Sequence, residues 1–439
     1  VLARLLTPED FGLIAMVAAV TGFVMMFKDM GLSMATVQRA EINHGQISTL
    51  FWINVALSLA IMLLTATLAP AIAWFYSEPR LIWITLALAG AFIFSGFTVQ
   101  HQALLRRQMN FGRLAAIEIT SMLVGVITAI VSALYGAGYW ALVLMQLSTA
   151  IVGAITVWMV CGWRPGLPVR RSGVREMLTF GGHLTGFSFV NYFARNTDKL
   201  LIGKFWGAGP LGLYSKAYGL LMLPLSQINA PLSAVAIPAL SRLQDEPERY
   251  RNYYLKAISL IAFFTMPMAM FMIVMSGELI QIVLGPQWSE ASRIFLFLGI
   301  AALVQPIANT SGWLFISQGR ARDMLRWGLI GGTLAIVSII AGLPWGTVGV
   351  AGSYAITGLF IRTPLLFLFV GCKGPLRNGD FYRVLVTPAV FTLIVLAALF
   401  VFRRYTSVHN PLTNLAFALS ITTIACFLLL CILPTRWCT

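Results

Sequence analysis

Several ionisable side chains lie within or beside long apolar stretches, where a charge costs roughly 2.5–3.5 kcal/mol if the stretch crosses a membrane. They are Arg195, Asp198, Lys199, Lys204, Lys216 and Arg362. Lys216 and Arg362 lie deepest, so they need a water-filled cavity, a buried partner or an anionic ligand. Arginine binds phosphate oxygens in a bidentate manner and lysine acts as a mobile point charge, so both types favour a site for an anionic, phosphate-bearing molecule.

The same residues also have a structural interpretation. Arg195, Lys199 and Lys204 could extend to the membrane interface, with Asp198 neutralising one of them at i, i+3 spacing. If an ion gradient drives the protein, Asp198 is instead the first candidate for binding H⁺ or Na⁺. Polar residues that could line a wet cavity, or bond across helices, are Asn191, Tyr192, Asn196, Tyr214, Tyr218, Gln227 and Asn229.

The composition indicates that these residues belong to a membrane protein. Of 439 residues, 59% are hydrophobic and only 10% are charged, whereas soluble domains carry roughly 25% charged residues. A net charge of +15 would suggest nucleic acid as the partner of a soluble protein, but here it indicates basic cytoplasmic loops. Five cysteines without a CxxC pair, and four scattered histidines, predict no disulfide framework, metal site or cofactor.

Apolar runs bounded by charges, Gly and Pro predict thirteen membrane spans. They are 11–36, 46–75, 81–104, 113–135, 139–162, 174–197, 210–240, 252–276, 290–316, 321–343, 346–370, 381–402 and 413–433. The residues VLARLL before them are interpreted as the tail of a truncated first helix, so the predicted fold is all-α with fourteen helices. Most lysines and arginines fall in alternate loops, which predicts a cytoplasmic C-terminus and an outer turn at Thr7–Asp10.

Similar motifs recur at an offset of 200 to 211 residues. Gly12 matches Gly212, residues 135–143 match 345–353, residues 104–114 match 315–325, and Cys161 matches Cys372. The offset predicts two six-helix lobes, 1–165 and 173–371, as parallel repeats around a central cavity, followed by two further helices in 381–433. The alternative is that membrane helices mimic a repeat because they share a composition.

Three segments resemble the polysaccharide exporters of the Wzx, WzxC-like type, in the multidrug/oligosaccharidyl-lipid/polysaccharide flippase superfamily. They are LARLLTPEDFGLIAMV (2–17), LLRRQMNFGRLAAIE (104–118) and NTDKLLIGKFWGAGPLGLYSKAYGLLMLP (196–224). The resemblance covers essentially the whole chain, and the truncated first helix departs from it. It implies 12 to 14 helices in two lobes that move undecaprenyl-pyrophosphate-linked oligosaccharide to the outer leaflet of the bacterial inner membrane. The polymerase and the chain-length regulator of the same pathway are further implied partners.

Two other functions stay open at this point. A drug or cation exporter of the same superfamily would share the two lobes, but it should favour buried carboxylates, whereas the deep charges here are basic. A membrane glycosyltransferase or polymerase could use Glu9 and Asp10 as paired carboxylates, but the predicted outer loops are short. Thr7 as N-cap and Pro8 as first helical residue offer a structural account of the same turn.

The sequence therefore favours a transporter over an enzyme. The expected mechanism is alternating access, in which the substrate site opens to one side of the membrane at a time. Proline inside a span removes a backbone hydrogen bond and permits kinking. Candidate hinges are Pro224, Pro231, Pro238, Pro267 and Pro306.

Overall fold

The computed structural model describes residues 1–25, 33, 36–37, 42–169, 192, 196–405 and 410–432, and the regular structure within these ranges is helical. The chain divides into two compact units, Val1–Gly212 and Leu213–Thr439. Each unit is described by itself. The lobe boundaries 1–165, 173–371 and 381–433 stay a prediction.

The described residues of the first unit contain six complete helices, and residues 196–206 are also helical. The six are α1 (Leu2–Leu5), α2 (Pro8–Met25), α3 (His44–Tyr76), α4 (Arg80–Arg107), α5 (Phe111–Leu134) and α6 (Trp140–Val160). Helix α7 (Ala208–Arg242) begins in this unit and continues past the boundary at Gly212. Helix α3 packs along α4, and α6 packs against both α4 and α5.

The second unit continues with ten further helices in its described residues. They are α8 (Pro247–Val274), α9 (Ser276–Val283), α10 (Ala291–Ala302), α11 (Gln305–Asn309), α12 (Ser311–Ser317), α13 (Ala321–Gly342), α14 (Gly346–Thr357), α15 (Thr363–Gly371), α16 (Asn378–Tyr405) and α17 (Pro411–Ile432). A π-helical turn, Gly358–Arg362, joins α14 to α15. Helix α8 packs on α16, and α14 packs on both α10 and α13.

The described residues include ten helical segments that are long and apolar enough to cross a membrane, or eleven if the bent pair Ala291–Ala302 and Gln305–Ser317 forms one span. This result confirms an all-α, multi-pass membrane fold. The bend of 49° precedes Pro306, one of the predicted hinges. The predicted span 174–197 lies almost wholly outside the described residues, so the count of thirteen stays a prediction.

Helix α2 begins where the sequence predicts, at a cap formed by Thr7 and Asp10. The Thr7 backbone N–H and hydroxyl donate to Asp10 Oδ2 at 2.9 and 2.7 Å, and the Asp10 N–H donates to Thr7 Oγ1 at 3.3 Å. Pro8 occupies the first helical position. These bonds satisfy donors that the helix start would otherwise leave open.

The turn after α4 and the turn after α12 contain the same hydrogen bonds, 210 residues apart, within the offsets at which the sequence motifs recur. The N–H groups of Gln108, Met109 and Asn110 donate to the carbonyls of Leu104, Arg106 and Leu105. The same three bonds recur 210 residues later, from Gln318, Gly319 and Arg320 to Leu314, Ile316 and Phe315. Met109 and Gly319 both have positive φ, 57° and 64°, as this kind of helix end requires.

Candidate functional site

Arg362 is one of the two basic residues that the sequence predicts to lie deepest in a span. It closes the π-helical turn and lies nine residues, about 13 Å at 1.5 Å per residue, before the end of α15. Its Nη2 donates to the Tyr354 hydroxyl at 3.2 Å, and its Cζ lies 4.5 Å from the Tyr354 ring centroid. Its Nη1 is buried and has no hydrogen-bond partner among the described residues. One edge of the guanidinium is therefore held in place, and the other retains its capacity to donate.

Sequence reasoning missed Tyr354 because it assumes regular helices. Residues eight apart on a straight α-helix lie about 80° apart around the axis. The extra residue of a π-helical turn brings Arg362 back to the face that carries Tyr354, and such turns are frequent at functional sites. The residue pattern gives no signal for this turn.

Lys216, Tyr214 and Tyr218 all lie on α7 but do not share one face. Tyr214 is buried, with 2% of its surface exposed, whereas Lys216 and Tyr218 are half-buried. The two tyrosines are four residues apart and follow one side of the helix, while Lys216 lies two residues from each and faces another side. Lys216 is eight residues, about 12 Å, from the start of the helix.

The structure brings Asn196, Asp198 and Lys199 together within one helical turn. Lys199 Nζ donates to Asn196 Oδ1 at 3.4 Å, and the Lys199 backbone N–H donates to Asp198 Oδ1 at 2.8 Å. Asn196 Nδ2 donates to the Tyr192 carbonyl at 3.0 Å. Arg195 lies outside the described residues, so the predicted pair between Arg195 and Asp198 stays a prediction.

Lys204 lies apart from that turn and is exposed. Its Nζ lies 5.3 Å from the centroid of the Phe75 ring. The side chain lines a cavity of about 520 Å³ together with Trp74 and Glu78. Tryptophan, phenylalanine and lysine in one place are typical of the membrane interface, so the structure favours the interfacial interpretation of Lys204.

A buried polar row between α3 and α4 was not predicted. It comprises Asn54, Ser58, Thr65, Thr85, Gln100 and His101, each with at most 1% of its surface exposed. Both amide atoms of Asn54 and both ring nitrogens of His101 have no hydrogen-bond partner in the part of the chain that the structure describes. The spacing of four and then seven residues along α3 puts Asn54, Ser58 and Thr65 on one face, and this signal could have revealed the row.

The carboxylates at the start of α2 have structural roles. Arg80 Nη2 donates to Glu9 Oε1 at 2.6 Å, while Asp10 caps the helix. Arg80 also bonds Glu78 at 2.8 Å, and this bond holds the pKa of the Glu78 carboxyl below its usual value despite partial burial. Glu9 and Asp10 therefore have separate partners, as expected if each stabilises the turn before α2. The described residues contain no group of three His, Cys, Asp or Glu residues that could hold a metal.

Comparison with known families and sequences places these features in context. The family described as “Polysaccharide biosynthesis protein” matches residues 1–293. Lipopolysaccharide biosynthesis protein WzxC of Escherichia coli is 27% identical over 87% of this chain and 78% of its own length. Teichuronic acid biosynthesis protein TuaB of Bacillus subtilis is 28% identical over 70% of this chain and 64% of its own length. Succinoglycan biosynthesis transport protein ExoT of Rhizobium meliloti is 23% identical over 75% of this chain and 67% of its own length.

Two solved structures share the fold. The lipid II flippase MurJ, in an inward closed conformation, superposes with a TM-score of 0.75 over 98% of this chain and 94% of its own, at 14% identity. An inward-facing multidrug transporter of the MATE family gives 0.66 over 84% of this chain and 91% of its own, also at 14% identity. At such low identity the likeness concerns the fold alone. Together with the sequence matches, it confirms the resemblance to the polysaccharide exporters.

Proposed function

This chain belongs to the polysaccharide biosynthesis protein family, and from that premise we propose that it moves a lipid-linked oligosaccharide across a bacterial inner membrane. The substrate is an oligosaccharide linked through pyrophosphate to undecaprenol. It is taken from the cytoplasmic leaflet and released in the outer leaflet. The C-terminus lies in the cytoplasm, and the polymerase and chain-length regulator of the same pathway act on the product or beside the transporter.

Arg362 carries this proposal. A half-buried guanidinium within a membrane span is costly unless a partner compensates its charge. Tyr354 orients one edge of the group, while Nη1 has no partner among the described residues. A pyrophosphate provides several negative oxygens, and arginine matches such oxygens with parallel N–H donors. The arrangement therefore supports an anionic headgroup as the ligand, rather than the cationic substrate of a drug exporter.

Lys216 supplies a second positive charge on another helix of the same unit. Its position about 12 Å along α7 is too deep for a typical surface lysine. Together the two cations would compensate the two phosphates of the substrate. Tyr218, a half-buried residue of α7, would donate to sugar hydroxyls, whereas the buried Tyr214 packs within the helix assembly.

Transport proceeds by alternating access, so the site opens first to the cytoplasm and then to the outside. Prolines inside the long helices weaken the backbone at Pro224, Pro231 and Pro238 of α7 and at Pro267 of α8. Asp198 is the proposed ion-binding residue, because a carboxylate can take up H⁺ or Na⁺ and release it on the other side. Asn196 and Lys199 lie in the same turn and would respond to its charge.

The experiment is a translocation assay in proteoliposomes that contain the purified protein. Three compounds are compared: a defined undecaprenyl-pyrophosphate-linked oligosaccharide, the same oligosaccharide without lipid, and a cationic drug. Each is measured with and without a proton or sodium gradient. The proposal predicts translocation of the lipid-linked compound alone. Movement of the drug, with the lipid-linked compound left in its original leaflet, would assign the protein to the drug exporters instead.

A further inference from the structure

A second basic site lies in the second unit, away from Arg362. It is a cavity of about 690 Å³ lined mainly by α8 and α16, near the ends where both helices begin. Three of its lining residues are basic, namely Arg249, Lys256 and Arg383, and no acidic residue is among the described residues that line it. The cavity thus concentrates positive charge at the end of the unit that the loop charges predict to be cytoplasmic.

Two of these cations are not compensated by the protein. Arg249 pairs with Glu246 at 2.7 Å, and the neighbouring Arg251 pairs with Asp380. Lys256 and Arg383, in contrast, form neither an ion pair nor a hydrogen bond within the described ranges. Glu246 and Asp380 are already paired, so the cavity retains two positive charges that an anion could satisfy.

The depth of the cavity matches a lipid headgroup. Lys256 lies four residues, about 6 Å, past the predicted start of the span 252–276, and Arg383 lies two residues, about 3 Å, past that of the span 381–402. Both side chains are exposed and long enough to reach the level of lipid phosphates. The cations therefore lie near the interface rather than in the centre of the bilayer.

The other walls of the cavity match the remainder of a phospholipid. Leu255 and Val384 are half-buried apolar residues, which can contact the upper part of an acyl chain. Asn252, Ser259 and Thr387 offer amide and hydroxyl groups, which can bond ester and glycerol oxygens. Free inorganic phosphate would gain nothing from the apolar walls, and a zwitterionic lipid would bring its own cation towards Lys256 and Arg383.

We propose that this cavity binds the phosphate headgroup of an anionic phospholipid. Basic pockets between membrane helices at the cytoplasmic surface recognise such headgroups by charge. A bound lipid would join α8 to α16 at their basic ends, in addition to the direct packing between them. This site is independent of the substrate site at Arg362 and does not require that the protein be a flippase.

The test measures lipid binding to the purified full-length protein by native mass spectrometry and by fluorescence with labelled phosphatidylglycerol. The site variant is Lys256→Gln with Arg383→Gln. The control is Arg242→Gln with Arg322→Gln, which removes two exposed basic residues that do not line the cavity. Phosphatidylcholine and free inorganic phosphate serve as alternative ligands.

Phosphatidylglycerol should bind the site variant about twenty-fivefold more weakly than the wild type, because each of the two basic residues near a membrane surface contributes roughly fivefold. The control variant should keep affinity within about twofold, and phosphatidylcholine should not compete. An equal loss in both variants would show that general surface charge binds the lipid and would overturn the proposal. Displacement of phosphatidylglycerol by millimolar free phosphate would overturn it too, since the ligand would then be the free anion.

Discussion

Gly12 of helix α2 packs against helix α7, and Gly212 of helix α7 packs against helix α2. Each is the fifth residue of its helix, and each packs on the first residue of the other helix. An ideal Cβ on Gly12 would lie 1.7 Å from the Ala208 carbonyl oxygen, and one on Gly212 would lie 1.8 Å from the Pro8 carbonyl oxygen. The two glycines thus occupy the same position in their own helices and make the same kind of contact with the other helix.

Alanine at Gly12 or Gly212 should destabilise the protein, because either methyl group would overlap a carbonyl oxygen and force the helices apart. We expect a loss of about 1–3 kcal/mol in each variant, measured as a lower thermal midpoint in detergent. Gly209→Ala is the matched control, since an ideal Cβ there has no atom within 4 Å. If Gly12→Ala and Gly212→Ala both kept the wild-type thermal midpoint, the close contact between α2 and α7 would be contradicted.

Replacing Asp10 with Ala should lower stability by about 0.5–2 kcal/mol, because it removes the carboxylate that accepts from the Thr7 N–H and hydroxyl at the start of α2. Transport per folded molecule should not change. Thr7→Ala should give a similar loss of stability, and Glu9→Gln should also leave transport intact. If Asp10→Ala abolished activity in a fully folded protein, Glu9 and Asp10 would have to act in chemistry and not only in stabilising the turn.

Glu78 should stabilise the protein only above mildly acidic pH. Its hydrogen bond with Arg80 lowers the pKa of the carboxyl below 4.5, so the stabilisation is complete above the unfolded pKa and is lost as the pH falls through the folded value. At pH 7 the free energy of unfolding of the wild type should exceed that of Glu78→Gln by about 0.2–1 kcal/mol, as expected for a pair of this exposure. This difference is measured as a higher thermal midpoint of the wild type. The difference should vanish on acidification. A constant difference, or one that persists in an Arg80→Met background, would exclude the ion pair as its cause.

Tyr354→Phe should weaken transport while leaving insertion and folding intact. The variant keeps the ring beneath the Arg362 guanidinium but removes the hydroxyl that accepts from Nη2. Hydrogen bonds to charged groups contribute about 1.5–3 kcal/mol, so a loss of about tenfold or more in transport efficiency is expected. Tyr405→Phe, on an exposed tyrosine at the end of α16, provides the control and should behave as wild type.

The sequence predicted the helical membrane fold, the Thr7 cap and most spans, because each depends on local composition or on a few adjacent residues. It did not predict the π-helical turn before Arg362 or the buried polar row beside His101. A single added residue rotates the helix, and the residues that surround a buried polar side chain lie on another helix, so neither feature follows from local sequence. Lys204 shows the same limit, because its contact with Phe75 joins segments far apart in the chain.

The most direct measurement is translocation of a defined lipid-linked oligosaccharide by the Arg362→Ala variant in proteoliposomes. The account predicts at least about a tenfold loss relative to wild type, because the Arg362 Nη1, which has no partner among the described residues, would donate to the pyrophosphate. Arg362→Lys should retain part of the activity, and Arg326→Ala, which removes an exposed arginine of α13, should retain all of it. Translocation by Arg362→Ala at the wild-type rate, with correct insertion, would contradict the proposed substrate site.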